Sequence, residues 1–192
     1  MFNDKYNLTK AVLEGRKTQT RRIPKLSDID ERYLDEAFDW DLRESVIIDR
    51  YSKYHIGEVV AIAQNLRNMK YDPRATPSGN IWGLDHSPAW TNKMYVSARQ
   101  CIHHIRITDI RMERLQNISD EDCIKEGISI CPEYYECSCG GYRYDTAIYM
   151  PEVCPCFGTP QDAYAALIDK ISGKGTWEKN PWVFVYDFTL VD

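Results

Sequence analysis

No stretch of this 192-residue chain approaches the roughly 18–20 consecutive apolar residues that a membrane-spanning helix needs. The opening residues, Met1-Phe2-Asn3-Asp4-Lys5-Tyr6, also lack the apolar core of a secretory signal. A cytoplasmic protein with no membrane partner is therefore expected. Positive charge is not in excess either, since 24 Lys and Arg against 29 Asp and Glu leave a formal net charge of −5. Proteins that coat long duplex DNA carry a broad basic surface, because their affinity comes from neutralising many phosphates. An extended duplex footprint is thus excluded. The cysteines number seven, an odd count for a complete disulfide set, and a reducing compartment disfavours bridges. Internal repeats are missing as well.

What is present is enough for a core. Hydrophobic residues make up 43% of the chain and aromatics 12%, which argues against global disorder. The length fits one domain over residues 1–192, with room for insertions.

Charge is distributed unevenly. Gly15-Arg16-Lys17-Thr18-Gln19-Thr20-Arg21-Arg22 places four cations and two hydroxyls in eight residues. From Lys10 to Lys25 six cations face one acid, a local charge of +5. The run from Asp28 to Asp49 reverses this, with nine Asp and Glu against two Arg. A solvated helix face accounts for the acidic run. The basic loop suits an anionic or nucleotide-like ligand, because guanidinium and ammonium groups bind phosphate through charge-assisted hydrogen bonds. Its small extent points to a compact site or a single-stranded end.

Periodicity supplies the elements. Lys5 to Glu14 reads as a helix, with Leu8, Ala11 and Val12 on one face and Gly15 as its stop. Asp30 to Ser45 reads as a second helix, on Leu34, Phe38 and Leu42. Gly57 to Gln64, Lys93 to Arg99, His104 to Met112 and Trp182 to Leu190 read as strands. In His104–Met112 the alternation slips by one residue near Thr108-Asp109, the mark of a bulge. Lys70 to Trp90 is a loop rich in turn residues. Ser119-x-x-Asp122 opens a helix that Glu126-Gly127 ends, and Thr159-Pro160 opens another that Gly173 closes. On the latter, Tyr164, Leu167, Ile168 and Ile171 form the apolar face. Short helices interleaved with half-buried strands indicate an α+β fold, with a small β-barrel flanked by helices as the expected architecture.

Four motifs in order resemble the ASCH domain family of the PUA-like superfamily. They are Gly15-x-Lys17-x-x-Thr20-x-Arg22, Gly57-Glu58-Val59-Val60, the Leu115–Gly127 segment, and Trp177-x-x-Asn180-Pro181-Trp182-Val183-Phe184-Val185. The resemblance covers most of the chain apart from insertions at about 26–52 and 129–158. It implies a PUA-like barrel with a pocket for RNA, a modified base or a nucleoside. It also implies an alternative, since some compact members resemble amidohydrolases that deacylate N4-acylated cytidine with a Lys, a Thr and a Glu. Carried over by motif, those catalytic residues are Lys17, Thr20 and Glu126. A lower alternative is ribonuclease activity, although no paired-carboxylate metal site is evident.

Ordinary chemistry allows the triad. A threonine hydroxyl attacks a carbonyl only when a base takes its proton. Lys17 is such a base if its pKa falls, and Arg16, Arg21 and Arg22 push it down as like charges. An arginine then stabilises the oxyanion. The same residues also suit binding without chemistry, with Lys17 and Arg22 holding phosphate and Glu126 pairing with an arginine. Arg16, Arg21 and Arg22 are the basic ligand-binding candidates. Trp82, Trp90, Asn92 and Lys93 are candidates for the far wall, since each base stacked on an aromatic face contributes roughly 1–3 kcal/mol in single-strand binders. Loop anchoring explains those tryptophans equally well.

The insertion carries Cys137-Ser138-Cys139 and Cys154-Pro155-Cys156, with Cys131 nearby. Four thiolates brought together bind Zn²⁺ tetrahedrally and fold a loop-rich segment. Structural zinc at Cys137, Cys139, Cys154 and Cys156 is the first expectation, free thiols the second, disulfides the third. No organic cofactor is expected. Cys101 and Cys123 read as buried small residues.

Overall fold

A computed structural model describes residues 2–24, 40–70, 86–130, 141–144 and 156–191. In chain order the helices are α1 (Leu8–Leu13), α2 (Trp40–Tyr51), α3 (Leu66–Lys70), α4 (Asp120–Lys125), α5 (Pro160–Ser172) and α6 (Thr176–Lys179). The strands are β1 (Gln19–Arg22), β2 (Val59–Ala61), β3 (His104–Arg114), β4 (Ile128–Ile130), β5 (Tyr142–Tyr144) and β6 (Trp182–Leu190). The fold is α+β.

β3 and β6 pair antiparallel from Ile105–Leu190 to Arg114–Trp182, and β1 and β2 complete a sheet ordered β1-β6-β3-β2. The register shifts between Ile107 and Asp109, where the alternation slips in the sequence. β6 is buried on both faces: Val183 and Val185 are as inaccessible as Phe184 and Tyr186. Layers on both sides of a central strand leave it no polar face. β4 and β5 form a separate two-stranded ribbon. Among the described residues the main sheet has β1 and β2 as edges and does not close into a barrel.

The expected caps form. Ser119 accepts a hydrogen bond from the Asp122 amide to start α4, Thr159 does the same for Asp162 with Pro160 in the first turn of α5, and Gly173 ends α5 at φ +110°. Ala163, Tyr164, Leu167 and Ile168 of α5 join the core cluster with Phe184, Val183 and Leu115. Each such side chain contributes roughly 1.5–3 kcal/mol of apolar burial. Across the sheet, α2 packs on β3, and Glu44 accepts the Met112 amide at 2.6 Å.

Three expected elements differ. The first helix is interrupted at Asn7, which takes a left-handed conformation (φ 51°) between a 3-10 turn at Asp4–Tyr6 and α1. The second helix is observed at Trp40–Tyr51, with Ile47 buried; residues 25–39 lie outside the described residues. Tertiary burial of Ile47 overrides the low helix propensity of the β-branched run Val46-Ile47-Ile48. The stretch expected as a strand at Lys93–Arg99 instead forms 3-10 turns at Lys93–Tyr95 and Ala98–Gln100. There Asn92 caps the Met94 amide and Ser97 forms a capping box with Gln100, so side-chain caps replace a strand partner.

Candidate functional site

The basic loop is fixed at both ends. The amides of Arg16 and Lys17 both reach back to the Ala11 carbonyl (2.9 and 3.0 Å), which closes α1. The Thr18 amide donates to the Lys125 carbonyl (3.0 Å), and the Thr18 carbonyl accepts from the Phe188 amide (2.9 Å). The chain thus enters β1 already docked on α4 and β6. Gly127, just after α4, has φ +105°, and a Cβ there would lie 3.4 Å from Leu8 Cδ2 and 3.7 Å from Lys17 Cδ. Glycine serves there both for the turn and for the close passage of the Lys17 side chain.

Lys17 is 2% exposed. Its ammonium donates to the Gln19 carbonyl (2.7 Å), the Glu126 carbonyl (2.8 Å) and Glu126 Oε2 (2.5 Å). All three of its protons are therefore engaged. Burial pushes its pKa below the ordinary lysine value; Glu126 opposes that shift, and Arg22 and Arg21 add to it.

Strand alternation divides the loop. Gln19 and Arg21 share one face of β1, and Thr20 and Arg22 take the other. The Arg21 side chain is fully inaccessible. Its Nε and Nη2 donate to Glu113 Oε1 (2.9 and 2.6 Å), and Nη2 also donates to Asp122 Oδ2 (3.1 Å). Nη1 donates to Gln19 Oε1 (2.5 Å) and Glu126 Oε1 (3.3 Å). Burial works against the guanidinium charge, but Glu126 and Glu113 outweigh it and raise the Arg21 pKa. The network continues outward: Arg111 donates to Asp122 Oδ2 (2.8 Å) and Asp187 Oδ2 (2.6 Å), and Gln19 Nε2 donates to Asp187 Oδ1 (2.7 Å). At Asp122 burial alone would raise the pKa. The Lys125 hydrogen bond and the charges of Arg21 and Arg111 prevail and hold it below the usual carboxylate value.

On the other side of β1 lies a cavity of about 230 Å³. Lys17, Thr20, Arg21, Arg22 and Glu126 all line it, together with Tyr164 and an apolar wall that includes Leu115, Leu167 and Val183. The three residues carried over by motif thus converge on one space, although 109 positions separate Lys17 from Glu126. Thr20 is 6% exposed and its hydroxyl makes no hydrogen bond to any described residue. Its prospective base, Lys17, points its protons at Glu126 and Gln19 instead.

The remaining candidates are scattered. Arg16 is exposed and pairs with Glu14 at 2.7 Å. Asn92 and Lys93 line a shallower groove that shares Phe2, Asn3 and Ile171 with the cavity. There Lys93 is bound to Asp4 Oδ1 (2.9 Å) and to the Phe2 carbonyl, and Asn92 Oδ1 accepts the Met94 amide (3.0 Å). Trp90 packs on a small cluster of Leu66, Met69 and Ala89. Trp82 lies outside the described residues, as do Cys131, Cys137, Cys139 and Cys154. Cys156 is half-buried and disulfide-bonded. Among the described residues no His, Cys, Asp or Glu group of three or more is arranged to hold a metal ion. Cys101 and Cys123 are buried free thiols, and burial pushes Cys123 up to about 12, which makes it unreactive.

Two participants were not singled out from the sequence. Arg111 shares Asp122 with Arg21, and its strand position gives no hint of that role. Tyr164 looks like one more apolar position of α5, where the 3.6-residue period places it in the core. Comparison with known proteins adds nothing to this geometry: no family model, no curated protein and no solved structure matches the chain. No helix among the described residues is long and apolar enough to cross a membrane.

Proposed function

We propose that the protein binds a modified nucleoside, or one residue of an RNA, in the cavity in front of β1, as an ASCH-type domain with a PUA-like core. The observation that carries this reading is the convergence of Lys17, Thr20, Arg22 and Glu126 on a single space of about 230 Å³. That volume lies below the roughly 300–1,000 Å³ of pockets for drug-sized ligands. It favours one nucleoside over a length of strand. Charge favours the same choice. Arg16, Lys17 and Arg21 are each paired with carboxylates of this chain, so most of the loop's positive charge is already compensated. A surface that tracks a phosphate backbone keeps its cations for the phosphates.

Amide hydrolysis is the second reading, favoured by a Thr20 hydroxyl with no hydrogen bond to any described residue, beside a lysine whose pKa burial lowers. In that reaction Thr20 Oγ attacks the acyl carbonyl and Lys17, in its neutral form, takes the hydroxyl proton. The proton then passes to the departing N4 amine, and water releases the acyl group from Thr20. Glu126 holds the Lys17 side chain in place. A ribonuclease is not favoured, because Glu126 is the sole acid among the described residues lining the cavity.

Incubation with N4-acetylcytidine separates these readings. Saturable binding, weakened in Arg22→Ala, is the expected result. Release of cytidine that disappears in both Lys17→Ala and Thr20→Ala establishes the hydrolase. Absence of binding to N4-acetylcytidine, cytidine and short RNA alike removes both readings.

For the Cys-rich insertion we retain the structural Zn²⁺ site at Cys137, Cys139, Cys154 and Cys156, in a cytoplasmic protein. Cys156 is disulfide-bonded in the structure, so it serves as a zinc ligand only after that bond is reduced. Protein purified without chelator, under reducing conditions, should carry about one zinc per chain. Zinc well below one equivalent rules the site out.

A further inference from the structure

Tyr164 lies in the second turn of α5, on the face that packs into the core, and its ring meets Trp177 edge-on at 6.2 Å. Its burial is nearly complete, at 2% exposure. A buried phenol normally finds a hydrogen-bond partner, since an unsatisfied one forfeits its hydration for nothing. Yet the Tyr164 hydroxyl makes no hydrogen bond to any described residue. Among the described residues, Gln64 Oε1 is an example of a buried side-chain polar atom with neither a hydrogen bond nor open space around it. Tyr164 Oη is not such an atom, so it reaches open space, and the space this residue lines is the cavity of Lys17, Thr20 and Glu126.

Two hydroxyls without hydrogen-bond partners among the described residues, from β1 and α5, therefore face one cavity whose charged groups are largely satisfied by one another. Leu115, Leu167, Ile168 and Val183 supply an apolar wall beside Tyr164. Such a site leaves a neutral polar contact to be made by whatever enters.

We infer that Tyr164 is the residue that selects the ligand, donating its phenolic O–H to a carbonyl oxygen of a neutral, planar ligand seated against the apolar wall. This rests on the nucleoside reading above and sharpens it to a carbonyl-bearing base or acyl group. The phenol stays protonated and is therefore able to donate. Burial raises its pKa, and the charge of Glu126 raises it further, so the proton stays on the oxygen. A carbonyl oxygen in its path is satisfied by this donor.

The full chain carrying Tyr164→Phe tests the assignment, titrated by calorimetry with N4-acetylcytidine, cytidine and adenosine. The substitution deletes one oxygen and keeps the ring. The expected result is about a tenfold loss of affinity for N4-acetylcytidine, cytidine or both, with Tm unchanged or slightly raised. Adenosine, which has no carbonyl on its base and offers only ring nitrogens as acceptors, should bind weakly and lose less on the substitution. Unchanged affinity for both pyrimidines overturns the inference and leaves the nucleoside reading intact. An equal loss for all three ligands, or a fall in Tm, assigns Tyr164 to packing and overturns it as well. A wild-type protein that binds none of the three removes the nucleoside reading and this inference together.

Discussion

Behind β1, Arg21 has every side-chain nitrogen engaged by Glu113, Asp122, Glu126 or Gln19, and Arg111 extends the lattice to Asp187. In front of the same strand, the Thr20 hydroxyl faces a cavity with no described hydrogen-bond partner, and Tyr164 of α5 lines the same cavity likewise. The two-residue period of β1 commits the Arg21 guanidinium to a saturated charge lattice and leaves the Thr20 hydroxyl outside it, although Arg21 and Glu126 also contribute to the cavity lining. The difference shows that a dense basic motif need not present a basic surface. Half of this one fixes the position of Glu126 and α4. Thr20 and Arg22 line the cavity.

Breaking the saturated side should have the largest effect. Arg21→Met keeps much of the side-chain volume but leaves Glu113, Asp122 and Glu126 around an apolar stem. Removing one partner from a buried charge cluster typically costs about 3–5 kcal/mol. Chemical denaturation should show a loss in that range. Thr20→Val, a step away on the open side, should change stability by less than about 1 kcal/mol, because no hydrogen bond is lost. Its effect should fall on nucleoside binding or turnover. Equal destabilisation by the two substitutions would erase the distinction between the faces.

The sequence made one half of this arrangement readable. The bulge near Asp109, the caps at Ser119 and Thr159, the Pro160 start and the glycine stops at Gly127 and Gly173 are all local chemistry, written within four or five residues. The resemblance to ASCH domains placed Lys17, Thr20 and Glu126 in one site, and they do line one cavity. What was not readable is long-range. Arg21 meets Glu113 and Asp122 across 92 and 101 positions, so nothing near it in the chain announces that its charge is spent. The sequence therefore treats Arg16, Arg21 and Arg22 as equivalent, whereas the fold makes Arg16 an exposed partner of Glu14 and Arg21 a buried brace. Local alternation also misled at Lys93–Tyr95, where capping by Asn92 provides the hydrogen bond that a sheet neighbour would have supplied. Tyr164 was hidden for a different reason. Helical periodicity reports which face is buried, and a hydroxyl facing an internal cavity is buried in just the same way.

Acid titration sharpens the comparison with a smaller effect. Asp122 has a folded-state pKa below the usual carboxylate value and joins Arg21, Arg111 and Lys125. Its unfolded-state pKa is the higher of the two, so its contribution to stability is complete above about pH 4. That contribution is lost as the pH falls through the lower, folded value. Lys17 has the opposite sign. Its folded pKa lies below 10.5, so its burial as a cation opposes folding at low and neutral pH. This penalty is relieved as the pH rises from the folded pKa towards 10.5. Melting curves between pH 2 and 5 should therefore show an acid limb that flattens in Asp122→Asn, at a lower overall Tm. Thr20→Val, which touches none of these charges, should reproduce the wild-type limb in full. A limb unchanged in Asp122→Asn would place the acid-sensitive carboxylates elsewhere and detach Asp122 from the lattice that holds Arg21.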